Sequence, residues 1–243
     1  MPVPLRSRAT LADQAYDTLR AMIVSGEMPP GSRLSEPELT LRLTIGRTPL
    51  REALLRLVQD GLVVIYPQSG SFVAAIDLDQ LEEAQFVRER LECGIIRRVT
   101  SQADKRGIAQ LKSLLQRQEL AAVDEDTALF HGLDDEMHAT FCAVAGWPDV
   151  WRIIHRSKVH MDRVRHLSLP IAGHMSHLIQ QHRTIVEAVA SGDADAAEQA
   201  MRDHLSEIFK TVAVLRLDRP DKHDGTKSDG ALPRPARGFS AHR

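Results

Sequence analysis

The sequence is poor in aromatic residues and in cysteine. Phenylalanine, tyrosine and tryptophan make up only 4% of its 243 residues, so the core must consist mainly of aliphatic side chains, as in helix bundles. Two cysteines, Cys93 and Cys142, are too few for a disulfide framework and are predicted to be buried thiols in a reducing compartment. The chain also lacks both a membrane-length apolar run and the apolar stretch of a secretory signal. These absences predict a soluble cytoplasmic protein with no membrane partner.

A strongly basic composition is absent as well. The 31 Lys and Arg residues are balanced by 33 Asp and Glu residues, which leaves a net charge of −2. Proteins that coat nucleic acid non-specifically carry a large positive charge, so this class is excluded. If DNA is the partner, a few well-placed arginines must contact it.

Turn residues and hydrophobic periodicity predict two domains and a mainly α fold. Residues 1–75 contain three helical segments, the second with a capping box from Ser35 to Glu38, and then two β-type runs joined by QSG. This order predicts a winged helix-turn-helix. Residues 76–217 are predicted to form an all-helical antiparallel bundle. Residues 218–243, rich in Pro, Gly and charge, are predicted to be a disordered tail. The predicted bundle helices span about 77–100, 103–122, 126–145, 148–168, 174–191 and 194–217.

The third helix of the first domain has the features of a DNA-reading helix. In a helix-turn-helix, the N-terminal residues of the second helix of the pair face the base edges of the major groove. Arg47 and Arg51 are four residues apart and share one face, and arginine can bind guanine through two hydrogen bonds. Thr48 can donate to a phosphate at the same helix terminus. The alternative is a solvated surface on which Arg51 pairs with Glu52 or Glu38.

Polar residues interrupt three apolar stripes in the second domain. The stripes are Phe130, Asp134, His138, Phe141 and Ala145; Leu178, His182, Ile185 and Val189; and Ala197, Met201, His204, Ile208 and Val212. Polar groups in a core must be satisfied, and four of them on three helices could converge on one ion. Such a set suits a divalent cation, with Zn²⁺ as the first choice and Ni²⁺ or Mn²⁺ as alternatives. The alternative for each histidine is a core imidazole bonded to a backbone carbonyl. Because many other histidines are nearby in the sequence, spacing alone does not identify which of them bind a metal.

The first domain resembles the GntR family of regulators. The resemblance lies in LRAMIVSGEMPPGSRLSEPEL, GRTPLREALLRLVQDGLV and PQSGSFVA. It implies that Arg47, Thr48 and Arg51 contact operator DNA, and that Gly70 at the wing tip approaches the backbone or the minor groove. The sequence departs from the family at Pro37 and Gly46, and at Ser69, where the usual wing arginine is missing.

The second domain resembles the FCD ligand-binding domain of the FadR branch of that family. The resemblance lies in VRERLE, DDEMHATF and QHRTIVEAVASGDADAAEQAMRDHL. It implies that Asp134, His138, His182 and His204 are metal ligands.

Arg88 also falls on an apolar stripe, and a buried arginine needs an anionic partner. That partner is either Glu92 on the same helix or, as the family implies, a ligand carboxylate held by the guanidinium fork. Arg163 is a weaker candidate for a second ligand contact.

Together these features predict a homodimeric transcription regulator rather than an enzyme. Its operator DNA would carry palindromic half-sites, and a small organic acid bound at the metal would control DNA affinity. Two alternatives are a metal-dependent enzyme that uses the Asp/His₃ set and a regulator whose metal is purely structural.

Overall fold

A computed structural model describes residues 9–217 and divides them into two compact units at the junction of Asp77 and Leu78. The predicted tail, residues 218–243, lies outside the described residues. The mainly α fold class is confirmed, and no helix within residues 9–217 is long and apolar enough to cross a membrane.

The N-terminal unit is a winged helix-turn-helix. Its elements are α1 (Leu11–Val24), β1 (Arg33–Leu34), α2 (Glu36–Leu43), α3 (Arg47–Gln59), β2 (Val63–Tyr66) and β3 (Gly70–Val73). The three strands form an antiparallel sheet in the order β1-β3-β2. The hairpin was predicted, but the two-residue strand β1 was not. It forms inside a link rich in proline and glycine because β3 offers it a hydrogen-bonding edge.

Helix termini in this unit only partly follow the predicted capping. Thr10 begins α1 through a reciprocal capping box with Asp13, in which Asp13 N donates to Thr10 Oγ1 at 3.1 Å. Ser35 begins α2, but its side chain makes no capping hydrogen bond, so the predicted capping box with Glu38 is wrong. Helix α2 ends at Thr44, whose φ of 55° and ψ of 44° lie in the left-handed region.

The core of the N-terminal unit lies between α1 and α3. The buried apolar residues at this contact are Ala15, Leu19, Ile23, Leu50, Leu54 and Leu57. Outside this core, the Tyr16 hydroxyl donates to Asp60 at 2.5 Å, and the guanidinium of Arg56 lies 4.0 Å from the centre of the Tyr16 ring. Tyr16 therefore links α1 to the C-terminal end of α3.

The C-terminal unit contains only helices among its described residues. They are α4 (Leu78–Gln102), α5 (Lys105–Val123), α6 (Thr127–Val144), α7 (Pro148–Ser157), α8 (Val159–Ser168), α9 (His174–Ser191) and α10 (Ala194–Val214). Helix α10 packs mainly against α4 and α9, and α5 packs against α6 and α9. The three polar-interrupted stripes lie on α6, α9 and α10 and are buried along most of their length.

One predicted helix of this unit is in fact two. The segment predicted as a single helix over 148–168 breaks at Lys158, which separates α7 from α8. The side chain of Lys158 is buried, and its ammonium group pairs with the carboxylates of Asp135 and Asp162. No glycine or proline marks the break, so local sequence carries no signal for it.

Candidate functional site

Helix α3, which is predicted from sequence to read DNA, presents its polar N-terminus to solvent. Helix α3 begins at Arg47, and both Arg47 and Thr48 are exposed, whereas the opposite face of the helix is buried. The guanidinium of Arg51 pairs with Glu36 of α2 at 3.0 Å, rather than with the Glu52 or Glu38 considered from sequence. Arg47 makes no ion pair with any residue in the described chain. Among the arginines of α3 it is therefore the one without a carboxylate partner in the described chain, since Arg51 pairs with Glu36 and Arg56 with Asp13.

The wing turn is built on left-handed backbone. Gln68 has a φ of 66° and Gly70 a φ of 109°, and a glycine adopts such an angle without the strain of a side chain. Gly70 begins β3, at the tip of the hairpin, as predicted from sequence.

Four buried polar side chains meet in the C-terminal unit. Asp134 and His138 come from successive turns of α6, His182 from α9 and His204 from α10. Each is no more than 2% exposed, and their ligand-type atoms all lie within 4.8 Å of one another. We call this set the Asp/His centre.

The spacing within the Asp/His centre fits a metal ion. The Nε2 atom of His204 lies 3.3 Å from the Nε2 atoms of both His138 and His182. The Nε2 atom of His182 lies 3.3 Å from a carboxylate oxygen of Asp134. Ligand atoms at about 2.1 Å from a tetrahedral ion are roughly 3.4 Å apart. The side chains therefore match the donor set and the dimensions of a divalent-metal site.

An outer layer of acceptors orients the three imidazoles. The Nδ1 atom of His182 lies 2.8 Å from the amide oxygen of Gln118, and that of His204 lies 2.9 Å from the amide oxygen of Gln181. The Nδ1 atom of His138 contacts the carboxylate of Glu92. Oxygens of this kind only accept, so each Nδ1 carries the proton and each Nε2 keeps its lone pair for the centre.

Gln118 is itself held in one orientation. Its amide nitrogen donates to the backbone carbonyl of Leu133 at 3.2 Å, which directs its oxygen towards His182. Gln118 lies on α5 and is fully buried. In this buried position its amide group forms hydrogen bonds with one imidazole and one backbone carbonyl.

Burial also keeps two of the imidazoles neutral. It lowers the pKa of both His182 and His204 well below the ordinary value, and the nearby charges of Arg165 and Arg88 lower each further. Metal ions bind the neutral imidazole, so this electrostatic environment suits ligation.

The buried carboxylate of Asp134 has no hydrogen-bond donor among the described residues. It is buried, and neither oxygen accepts a hydrogen bond from any residue in 9–217. Its charge is paired with the guanidinium of Arg165 on α8, and the Nε2 atom of the neutral His182 imidazole faces its other oxygen. A metal ion at the Asp/His centre would bind both the Nε2 lone pair and this carboxylate oxygen, which cannot hydrogen-bond to each other.

Arg88 adopts the pairing that the sequence left as an alternative. Its side chain is buried, and Nε donates to Glu92 at 2.6 Å. Burial alone would raise the pKa of Glu92, but the charge of Arg88 and the hydrogen bond from His138 outweigh it and bring the pKa well below its usual range. Glu92 thus joins Arg88 directly to one imidazole of the Asp/His centre.

A small cavity adjoins the centre. Its volume is about 20 Å³, which is enough for a water molecule. The lining residues are Arg88, Arg165, Ser168, His174, Leu178, His204, Leu205, Glu207, Ile208 and Thr211. Two guanidinium groups and an imidazole of the centre therefore border the same space.

The second arginine of this cavity was not the one predicted. Arg163 is buried on α8 but is not among the lining residues, whereas Arg165, two residues on, is. Residues two apart on a helix point to different faces. Burial lowers the pKa of Arg163 to about 10; burial together with the charge of Arg88 lowers that of Arg165 to about 9.

A second group of possible ligands lies beside the first. His131, Asp135 and Asp162 are close enough together to hold an ion. However, the ammonium group of Lys158 is 2.8 Å from Asp135 and also pairs with Asp162. Lys158 already supplies the cation here, so we assign no metal to this group.

Comparison with known proteins agrees with this architecture. The gntR family of bacterial regulatory proteins matches residues 11–73, and the FCD domain matches residues 83–207. The chain therefore belongs to the GntR family, in the branch that carries an FCD domain. It is a DNA-binding transcriptional regulator with an FCD effector domain. Members of this family bind operator DNA and usually form dimers, and FCD domains often bind metals.

Individual relatives support the same assignment. The chain is 35% identical over 208 residues to the HTH-type transcriptional repressor RspR of Escherichia coli strain K12, covering 86% of this chain and 91% of that protein. It is 36% identical over 206 residues to an HTH-type regulator in an unstable DNA locus of Streptomyces ambofaciens, covering 85% and 86%. These relatives are regulators rather than enzymes.

A solved structure shares the fold. The E. coli protein McbR/YncC superposes with a TM-score of 0.71 over 86% of this chain and 100% of that chain, at 20% identity.

Four residues of the site were missed or given another role from sequence. Gln118 was detectable, because it occupies an apolar stripe with Leu111, Leu114, Leu115 and Ala121. Glu92 was considered only as the partner of Arg88. Gln181 and Arg165 carried no signal, since neither breaks an apolar pattern in a recognisable way.

Proposed function

We propose that the Asp/His centre binds one divalent metal ion, Zn²⁺ first and Ni²⁺ or Mn²⁺ as alternatives. Asp134, His138, His182 and His204 would be its ligands. The observation that carries this proposal is the convergence of three Nε2 atoms and one carboxylate at 3.3 Å spacing. The three Nδ1 atoms are all engaged by acceptors, so these imidazoles are oriented for ligation.

We further propose that a small organic acid binds beside this metal and controls operator affinity. The bound metal would act as a Lewis acid that holds a carboxylate oxygen. Arg165 and Arg88 border the adjoining cavity, and a guanidinium fork binds carboxylate through two hydrogen bonds. Arg165 replaces Arg163 as the favoured second contact because it lines that cavity.

The DNA side of the proposal rests on α3 and the wing. Arg47, Thr48 and Arg51 would contact operator bases and phosphates, and Gly70 would approach the DNA backbone or the minor groove. A cytoplasmic homodimer would present two such helices to palindromic half-sites, because a two-fold protein matches a two-fold operator. The ligand can change operator affinity only as far as it prefers one dimer arrangement over another.

The first experiment measures metal content and ligand response together. Purified wild-type protein, Asp134→Ala and His204→Ala are compared by elemental analysis and by thermal shift with a panel of small carboxylates. The expected result is about one equivalent of divalent metal per wild-type chain, lost in both variants together with the carboxylate-induced shift. Asp149→Ala and His155→Ala, at exposed side chains of α7, are the matched controls and should retain both.

A metal-free wild-type protein that still responds to carboxylates would overturn the metal proposal. The small cavity favours one second candidate, a metal that only holds the helices together. In that case chelation lowers the melting temperature, but no carboxylate shifts it and operator affinity does not respond.

A further inference from the structure

We infer that Arg33 is the wing cation of this regulator and contacts a DNA phosphate from strand β1. The usual wing arginine of the family is missing at Ser69, within the turn itself. The structure provides a guanidinium at the same place from another strand. This inference rests on DNA binding by the N-terminal unit and is independent of the metal proposal.

The sheet register places Arg33 on the outer face of the wing. Arg33 lies opposite Phe72 of β3, and Phe72 lies opposite Val64 of β2. Cross-strand partners share a face, and neighbours along a strand point to opposite faces. Leu34 and Val73 accordingly point inward and are buried, while Arg33 is exposed.

An aromatic pair lies on the same face. Tyr66 of β2 is opposite Gly70, and its ring meets that of Phe72 edge-on with centroids 5.7 Å apart. Tyr66 remains 41% exposed. The outer face of the wing thus combines a guanidinium, a phenol and a glycine, which are groups suited to a sugar-phosphate surface.

Arg33 lies against the tip of the wing. A Cβ atom added at Gly70 would be 3.6 Å from Nε and 3.8 Å from Nη2 of Arg33. The planar guanidinium therefore lies in van der Waals range of the turn backbone. The donors of a guanidinium form a rigid planar fork, so little entropy is lost for each hydrogen bond that it makes to a phosphate.

The charge of Arg33 is available to a ligand. No residue within 9–217 makes an ion pair or hydrogen bond with its guanidinium. Three residues later, Glu36 pairs with Arg51 of the DNA-reading helix. A chain of three residues spans at most about 10 Å, so β1 brings Arg33 close to the base of that helix. A phosphate adjacent to the groove read by α3 is the partner that this position and charge fit.

The test uses full-length protein and a duplex selected by the wild-type protein from a random library. Fluorescence anisotropy gives the affinity at several salt concentrations for wild type and Arg33→Gln. Loss of one phosphate contact per chain should lower the slope of log affinity against log salt by about 0.9 per chain. Affinity should fall by the same factor for the selected duplex and for a duplex with altered bases, because a phosphate contact carries no sequence information.

Two further variants separate this role from others. Lys112→Gln removes one exposed charge from α5, in the other unit, and should leave the slope unchanged. Arg33→Lys keeps the charge and should retain the slope with a smaller loss of affinity.

The inference is overturned if Arg33→Gln binds DNA with the wild-type slope. It is also overturned if the variant changes base preference rather than overall affinity, or if its only effect is a lower melting temperature.

Discussion

The two units of this regulator expose and bury their functional groups in opposite ways. In the N-terminal unit, Arg33 and Arg47 stand at the surface without an ion-pair partner in the described chain. In the C-terminal unit, the Asp/His centre and Arg88 are almost entirely buried and contact one another. Exposed cations are hydrated when no DNA is bound, but buried polar groups must find their hydrogen-bond partners within the protein.

This difference separates function from stability in one unit and joins them in the other. A change at an exposed arginine should alter DNA binding and leave folding nearly intact. A change at Glu92 or Gln118 removes a hydrogen-bond partner from a buried polar group. The predictions that follow test this contrast.

The largest effect is expected from Glu92→Ala. It leaves the buried guanidinium of Arg88 without its carboxylate, which should destabilise the C-terminal unit by about 3–5 kcal/mol. The measurement is urea unfolding monitored by circular dichroism, with Glu187→Ala at an exposed position of α9 as the control. The double variant Arg88→Met/Glu92→Leu should lose much less. If Glu92→Ala matched the control, the pair would not be structurally important.

A smaller effect, on metal rather than on folding, is expected from Gln118→Leu. Without the acceptor at Nδ1, the His182 imidazole is no longer fixed in its tautomer, and metal affinity should fall about 10- to 100-fold. Competition with a chromophoric chelator measures the affinity. Gln116→Leu, at an exposed position of the same helix, is the control. Equal affinities in the two variants would show that the outer acceptor does not matter.

In the N-terminal unit, Arg47→Ala should weaken binding to the selected duplex roughly tenfold or more, because one two-pronged base contact is lost. The effect should shrink when the contacted base pair is also changed. The unfolding free energy should stay within about 0.5 kcal/mol of wild type. Anisotropy and urea unfolding of the same sample provide both numbers. A marked loss of stability would remove the contrast between the units.

The last effect appears only at alkaline pH, outside the range in which the other predictions are tested. Burial and the hydrogen bond to Asp60 raise the pKa of Tyr16 to about 12 in the folded protein, against about 10 in an unfolded chain. The stabilisation by the protonated phenol is complete below about pH 10 and is lost as the pH rises towards 12. Tyrosinate absorbance in a Tyr66→Phe background, where Tyr16 is the only tyrosine left, measures this pKa. Titration near pH 10 in the folded state would contradict the prediction.

Sequence reasoning reached the parts of this molecule that local pattern determines. Asp134, His138, His182 and His204 were recognisable because each occupies an apolar position of a helical stripe, and the family resemblance selected the same four. The winged helix-turn-helix followed from three helices and a hairpin. The four residues of the Asp/His centre meet in the structure because α6, α9 and α10 pack together, and sequence pattern alone does not specify that packing.

Features that depend on distant partners were not accessible in this way. The break at Lys158 exists because Asp135, from α6, meets the ammonium group between two helices. Strand β1 exists because β3 offers an edge to two residues of a turn-rich link. Arg165 borders the cavity and Arg163 does not, because the orientation of α8 about its own axis turns Arg165 towards it. Residue spacing alone does not predict that orientation.

The turn between α2 and α3 has a consequence for how this fold can change. Thr44 is a β-branched residue held in the left-handed region, a conformation that costs about 1–2 kcal/mol for a residue with a side chain. Glycine or asparagine adopts this conformation at a lower energetic cost, so a single substitution at Thr44 should make the N-terminal unit more thermostable. The same substitution would widen the range of angles open to the turn. A lineage moving to higher temperature could therefore gain stability at this exposed position while keeping Arg47, Thr48 and Arg51 unchanged.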